Sequence, residues 1–126
     1  MGHFRDLEVW RHAHQLTLQV YRVTKRFPRE ELYGLTSQIR RATSSIELNI
    51  SEGCGRKRDT ELRRYLEIAR GSASEVENLL LLCFDLEYLS DEEHRDLSDR
   101  LDRISRMLTS FSVKLRSELK PVNNRP

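Results

Sequence analysis

The chain has 126 residues, 37% of them apolar and 33% charged, and its 22 Lys and Arg outnumber its 20 Asp and Glu for a net charge of +2. That length suits one domain around one core and leaves no room for a second. The longest apolar run, Leu79 to Phe84, is far too short to span a bilayer, and Met1 to Arg5 lead into a charged segment without a signal-peptide pattern, so a cytoplasmic protein with no membrane contact is expected.

Four helices are predicted in chain order. The first runs over about 6–27, with Val9, Ala13, Leu16, Val20, Val23 and Phe27 on one stripe, Trp10 and Tyr21 at its border, and Pro28 as its stop. Gly34 suits the turn into a second helix, about 35–54. There Leu35, Ile39, Ala42, Ile46, Ile50 and Gly53 share an arc, flanked by Gln38, Ser45 and Asn49, small enough for a neighbouring backbone to approach. Gly53 or Gly55 is expected to close it in a left-handed cap.

Asp59 reads as the N-cap of a long third helix, about 59–88, with Leu62, Leu66, Ala69, Ala73, Val76, Leu80 and Cys83 inward. Gly71 sits mid-helix, at a cost of about 1 kcal/mol relative to alanine; a continuous helix in which Gly71, Ser72 and Ser74 admit a close neighbour is the preferred reading. A second stripe, Tyr65, Ile68, Leu79, Leu82 and Leu86, fits either a helix lying between two neighbours or a subunit interface. Ser90-Asp91-Glu92-Glu93 forms a capping box, so the fourth helix spans about 91–119 with Leu97, Leu101, Ile104, Leu108, Phe111, Leu115 and Leu119 inward, before a polar tail at 120–126. No strand-like alternation appears, and the short connections imply an all-α, antiparallel up-down-up-down four-helix bundle.

The run Gln38-Ile39-Arg40-Arg41-Ala42, then Ser45-Ile46 and Asn49-Ile50-Ser51-Glu52-Gly53, resembles the small bacterial four-helix-bundle proteins encoded within intervening sequences of 23S ribosomal RNA genes. Phe4-Arg5-Asp6-Leu7-Glu8-Val9-Trp10, Ala13, Val20-Tyr21, Phe27-Pro28, Glu31, Tyr33-Gly34-Leu35 and Ala69-Arg70-Gly71-Ser72-Ala73-Ser74-Glu75 extend the resemblance over residues 4 to 90. Glu47 departs from it, standing where the family usually carries proline, which predicts a straighter second helix. The resemblance implies a ring-forming homo-oligomer, typically a pentamer. Accessory proteins of diversity-generating retroelements are also similar, and they imply an association with nucleic acid.

Charge placement adds to this. In the expected bundle one end gathers Arg5, Arg11, Arg56, Lys57, Arg58, Arg63, Arg64, Lys114, Arg116, Lys120 and Arg125 against Asp6, Glu8, Glu52, Asp59, Glu61 and Glu118. The other gathers Asp85, Glu87, Asp91, Glu92, Glu93, Asp96, Asp99 and Asp102 against Arg95 and Arg100. Gly53-Cys54-Gly55-Arg56-Lys57-Arg58 is the centre of the basic end. Arg56, Lys57, Arg58, Arg63 and Arg64 are therefore the candidate phosphate-binding residues, for RNA or DNA and with little sequence preference. Arg40 and Arg41 diverge by about 100°, so one is expected to pair with the Glu47 or Glu52 region of its own or a neighbouring chain while the other faces outward, structural pairing being preferred to nucleic-acid contact. Asn49 and Glu52 are expected to satisfy buried or cross-helix donors, Glu52 also reaching Arg56.

Enzyme readings find little support. His12 and His14 face different sides of the first helix, Asp91-Glu92-Glu93-His94 is explained by the positive helix start, and no nucleophile elbow or phosphate loop is present. No catalytic residue, metal site or cofactor is expected. Cys54 and Cys83 form no CxxC pair and are read as free thiols, Cys83 in the core and Cys54 beside cations that lower a thiol pKa. The rival to nucleic-acid binding is an oligomeric scaffold that presents a charged face, or the second stripe of the third helix, to a protein partner.

Overall fold

A computed structural model describes residues 3–119, with side chains to Arg116. Four helices dominate it: α1 (Glu8–Thr24), α2 (Ser37–Cys54), α3 (Asp59–Asp85) and α4 (Asp91–Leu119). Among the described residues there is no strand. Cross-helix contacts fix the directions. His14 meets Glu47 and Thr24 meets Arg40, so α2 descends as α1 climbs; Ser112 bonds Glu67 and Phe84 stacks on His94, so α4 opposes α3. His12 with Arg100, and Arg26 with Glu93, set α1 antiparallel to α4. The result is the up-down-up-down bundle.

One continuous core runs its length, with Leu16, Ile46, Leu66, Ile104 and Leu108 fully buried. These are the residues whose three- and four-residue spacing marked the inward stripes. The capping box also forms as read: Ser90 Oγ accepts from the Glu93 N–H at 3.1 Å, and Glu93 Oε1 accepts from the Ser90 N–H at 2.9 Å.

The helix ends differ from the periodic pattern where local turns intervene. A single 3-10 turn, Phe4–Asp6, precedes α1, and the chain leaves the helix at Thr24, so Phe27 is buried in the core from a loop. A π-type turn, Leu32–Thr36, leads into α2; Gly34 has non-helical dihedrals there, and Glu31 accepts from the Leu35 N–H at 3.1 Å. Arg58, not Asp59, occupies the cap of α3 and makes no side-chain cap bond, leaving Asp59 in the first turn where its charge faces the positive helix end. α3 stops three residues early because Glu87 adopts φ 66°. The Tyr88 N–H then bonds Cys83 O and the Glu87 N–H bonds Phe84 O, both at 2.9 Å, which is a Schellman closure with glutamate in the glycine place.

The expected left-handed glycine cap of α2 does not form. Gly55 has φ −82°, and its N–H is shared between the carbonyls of Ser51 and Glu52. Nor does Gly71 admit a neighbouring helix, since a Cβ built there meets nothing within 4 Å. The close approach of α2 to α3 is made instead at Gly53, where a Cβ would lie 2.9 Å from both Leu62 Cδ1 and Tyr65 Cβ. Gly53→Ala is expected to lower stability by about 1–3 kcal/mol despite alanine's better helix propensity, as read by urea denaturation. α2 itself is unbroken through Glu47, and α3 is continuous through Gly71.

The second stripe of α3 divides. Leu79 is buried, whereas Ile68, Leu82 and Leu86 are 42%, 42% and 45% exposed on the outer face.

Candidate nucleic-acid interface

Four residues, Gly55 to Arg58, connect α2 to α3, and all are exposed. So short a link holds Lys57 and Arg58 side by side at the tip of the bundle. Among the described residues neither makes an ion pair. Arg56 is held differently: its guanidinium reaches Glu52 Oε2 at 2.5 Å and the Tyr65 hydroxyl at 2.8 Å, and lies 5.0 Å from the Tyr65 ring centroid. It keeps an exposed flank, but its charge is paired with the Glu52 carboxylate.

Arg63 and Arg64 part company as adjacent helical residues must. Arg64 is exposed, 5.9 Å from the Tyr65 ring. Arg63 is half-buried, its Nε enclosed without a hydrogen-bond partner, and its charge contributes to holding the Glu67 carboxyl below its usual range. The larger cause there is the Ser112 hydroxyl donated to Glu67. Of the five candidate residues, Lys57, Arg58 and Arg64 are thus freely presented, while Arg56 is paired within the chain and Arg63 is half-buried.

The same pole carries Arg5, Arg11 and Lys114, with Asp6, Glu8, Asp59 and Glu61 as acids, so cations prevail. Lys120 and Arg125 lie outside the described residues. The opposite pole is less acidic than the turn between α3 and α4 alone suggests, because the end of α1 and its loop add Arg22, Lys25, Arg26 and Arg29 against Glu30 and Glu31. Arg26 pairs with Glu93, whose carboxyl is held below its usual range chiefly by the Ser90 N–H.

The two structural polar residues behave differently. Glu52 holds Arg56, as its four-residue spacing implied. Asn49 donates to Ser45 O at 2.8 Å and Ser45 Oγ at 3.1 Å, and reaches α3 only through the Ser45–Ser72 hydroxyl pair at 2.8 Å. Within its own chain Arg40 pairs with neither Glu47 nor Glu52. It donates to Thr24 Oγ1 at 2.8 Å and Tyr21 O at 3.3 Å, with Tyr21's ring 4.5 Å away, tying α2 to α1; Arg41 is exposed. Cys54 also reverses its expected character, since burial pushes its thiol pKa up rather than neighbouring cations pulling it down. Burial likewise pushes Cys83 up to about 11.

Sequence reasoning passed over an aromatic stack on this pole. His3 stacks on Phe4 at 4.6 Å, Phe4 meets Trp10 edge-on at 5.0 Å, and Trp10 stacks on His14 at 4.8 Å. His14 in turn lies 2.9 Å from Glu47 on α2. The four-residue spacing of Trp10 and His14 was a readable signal; the 3-10 turn that folds Phe4 onto them was not.

His12 faces α4 instead, with Nδ1 3.0 Å from Arg100. Burial, then Arg100 and Arg103, pull its pKa below the ordinary 6.5, against the weaker opposing pull of Glu8. The unfolded histidine gains a proton as pH falls through about 6.5 while the folded one resists, so stability present above that pH is lost on acidification. The melting temperature is expected to fall between about pH 7 and pH 5.5, and His12→Gln to flatten part of that fall. Among the described residues no three His, Cys, Asp or Glu side chains form a metal-binding group, and no helix is long and apolar enough to cross a membrane.

Known proteins place this architecture. A solved structure of a protein of unknown function from the S23 ribosomal protein family of Bacteroides thetaiotaomicron shares the fold, with TM-score 0.75 and 22% identity over 82% of this chain and 97% of that one. No curated protein matches. The family model described as 23S rRNA-intervening sequence protein matches residues 5–110, taking in α1, α2, α3 and most of α4. On that match, the chain belongs to the 23S rRNA-intervening sequence protein family.

Proposed function

We propose that this is a non-enzymatic, cytoplasmic, homo-oligomeric protein that binds RNA or DNA through its basic pole with little sequence preference. The supporting observation is the exposure of Lys57, Arg58 and Arg64, free of ion pairs among the described residues, around a four-residue turn. Cations grouped on one pole gain affinity by releasing counterions from phosphates, a mechanism indifferent to base identity. Cyclic assembly repeats the pole side by side and raises avidity without any new contact. A pentamer is the ring size implied by the family resemblance, and no cofactor is required.

A specific observation also favours a second reading, a protein-binding scaffold. Ile68 and Leu82 on the outer face of α3 and Leu86 at its C-terminal cap are exposed apolar side chains. In the oligomer these side chains belong to the seam; in the scaffold they receive another protein. Titrating mixed RNA and DNA oligomers with increasing salt separates the two. Nucleic-acid binding predicts retention at low ionic strength that weakens linearly on a log–log plot, and the scaffold predicts none at any salt. Light scattering at micromolar concentration checks the assembly: a monomer rules out the ring.

A further inference from the structure

Two opposite sides of the bundle carry unlike surfaces at the same level. α1 and α3 lie diagonally, each packed on α2 and α4. Their C-terminal ends share one pole, because Phe27 packs on Tyr88 and the Tyr88 hydroxyl donates to Glu31 at 3.0 Å.

Between α1 and α2 near that pole runs an open groove of about 460 Å³, whose walls include Tyr21, Leu32, Tyr33 and Arg41. Tyr33 is 94% exposed, and Leu18, one turn before Tyr21, is exposed as well. Lys25, one turn after Tyr21, and Arg41 are exposed cations with no ion-pair partner among the described residues.

The outer face of α3 has the opposite character. From Gly71 to His94 the chain has no Lys or Arg. Ile68, Glu75 and Leu82 recur on that face at seven-residue intervals, and Asp85 and Leu86 follow at its C-terminal end, all of them exposed. Asp85 stands in the last turn, where the helix dipole favours a cation and disfavours a carboxylate, so its own helix does not account for its charge.

Two-fold contact would set cations against cations or carboxylates against carboxylates, so neither surface suits a copy of itself. Each suits the other: an apolar ridge edged with acids meets an apolar groove edged with cations. Because both lie at one level on opposite sides, a neighbour displaced sideways with its axis parallel brings them together. Repeating that step by rotation closes a ring.

We propose that the α1–α2 groove of one protomer receives the outer face of α3, with Glu75 and Asp85, from the next. On the homo-oligomeric reading above, on which this rests, the pairing assigns the seam and points every basic tip the same way.

Light scattering of charge-reversed variants provides the test. Lys25→Glu with Arg41→Glu alters the groove, and Glu75→Lys with Asp85→Lys alters the ridge; all four side chains are exposed. Each variant alone is expected to fall to the mass of a single chain at micromolar concentration and low salt, because like charges then meet across the seam. An equimolar mixture of the two is expected to regain at least a two-chain mass, since the unaltered ridge of one meets the unaltered groove of the other. Tyr33→Asp, at a side chain open to solvent in the single chain, blocks the groove independently and is also expected to lower the mass. If the intact protein assembles but any of these variants keeps its full mass, or the mixture stays monomeric, the two faces do not meet, although the oligomeric reading stands. If the intact protein is itself a monomer, that reading fails and this pairing with it. Circular dichroism of each variant separates a loss of mass from a loss of fold.

Discussion

Reversing Lys57, Arg58 and Arg64 together to glutamate is expected to abolish most nucleic-acid binding at low salt while leaving the bundle folded. All three side chains are exposed, and none holds another element in place among the described residues. Each phosphate contact to a single strand contributes about 0.7 to the slope of log affinity against log salt, so losing three makes that slope shallower by about 2 per protomer. Extrapolated from 1 M salt to about 50 mM, the same relation gives binding weaker by several hundred-fold, on the order of 500. Isothermal titration or anisotropy across a salt series measures both quantities. Reversing Arg95 instead, at the start of α4 and the opposite pole, is expected to change neither. Because the triple reversal changes net charge by three times as much as the single one, a loss from the Arg95 variant about a third as large on a logarithmic scale would show that net charge alone, without any pole, governs binding.

Leu66→Ala carries the largest expected stability change. Leu66 is fully buried on α3, within the single core to which all four helices contribute. Truncation there removes apolar contact and leaves a cavity that antiparallel helices on either side cannot close by sliding, at a cost of about 2–5 kcal/mol. Against a total of about 5–15 kcal/mol for a domain of this kind, that is a large share. A fall in melting temperature of about 10–20 °C by calorimetry is the expected readout. Leu82→Ala on the same helix, with 42% of its surface exposed in the single chain, is expected to cost far less in an isolated protomer. Where Leu82 lies in a seam between protomers, its truncation lowers the assembled mass before it lowers the melting temperature.

How much was legible beforehand depends on whether the signal is local. The inward stripes, the capping box at Ser90 and Glu93, and the Glu52–Arg56 pair all follow from spacings of three or four residues, so they were readable on a wheel. The end of α3 was not, because glutamate at a positive φ carries no sequence signal where glycine would have given one. Nor was the π-type turn before α2, whose closure depends on the Glu31 carboxylate reaching the Leu35 N–H. In the candidate site, the turn itself was legible as glycines and cations. The burial of Arg63 beside an exposed Arg64 follows from the phase of α3, set by its packing against α4. The dilution of the acidic pole by Arg22, Lys25, Arg26 and Arg29 is a matter of topology, since those residues reach it from the far end of α1.

The connection between α2 and α3 is short, and its Gly55 and Arg56 amides are already bonded to the carbonyls of Ser51, Glu52 and Gly53. On the proposed nucleic-acid reading, a strand arriving at this pole would meet a preorganised docking edge, with almost no loop ordering left to oppose association. Encounter would then be governed by diffusion and by the attraction of phosphates over a Debye length, about 8 Å at physiological salt, rather than by any rearrangement of the protein.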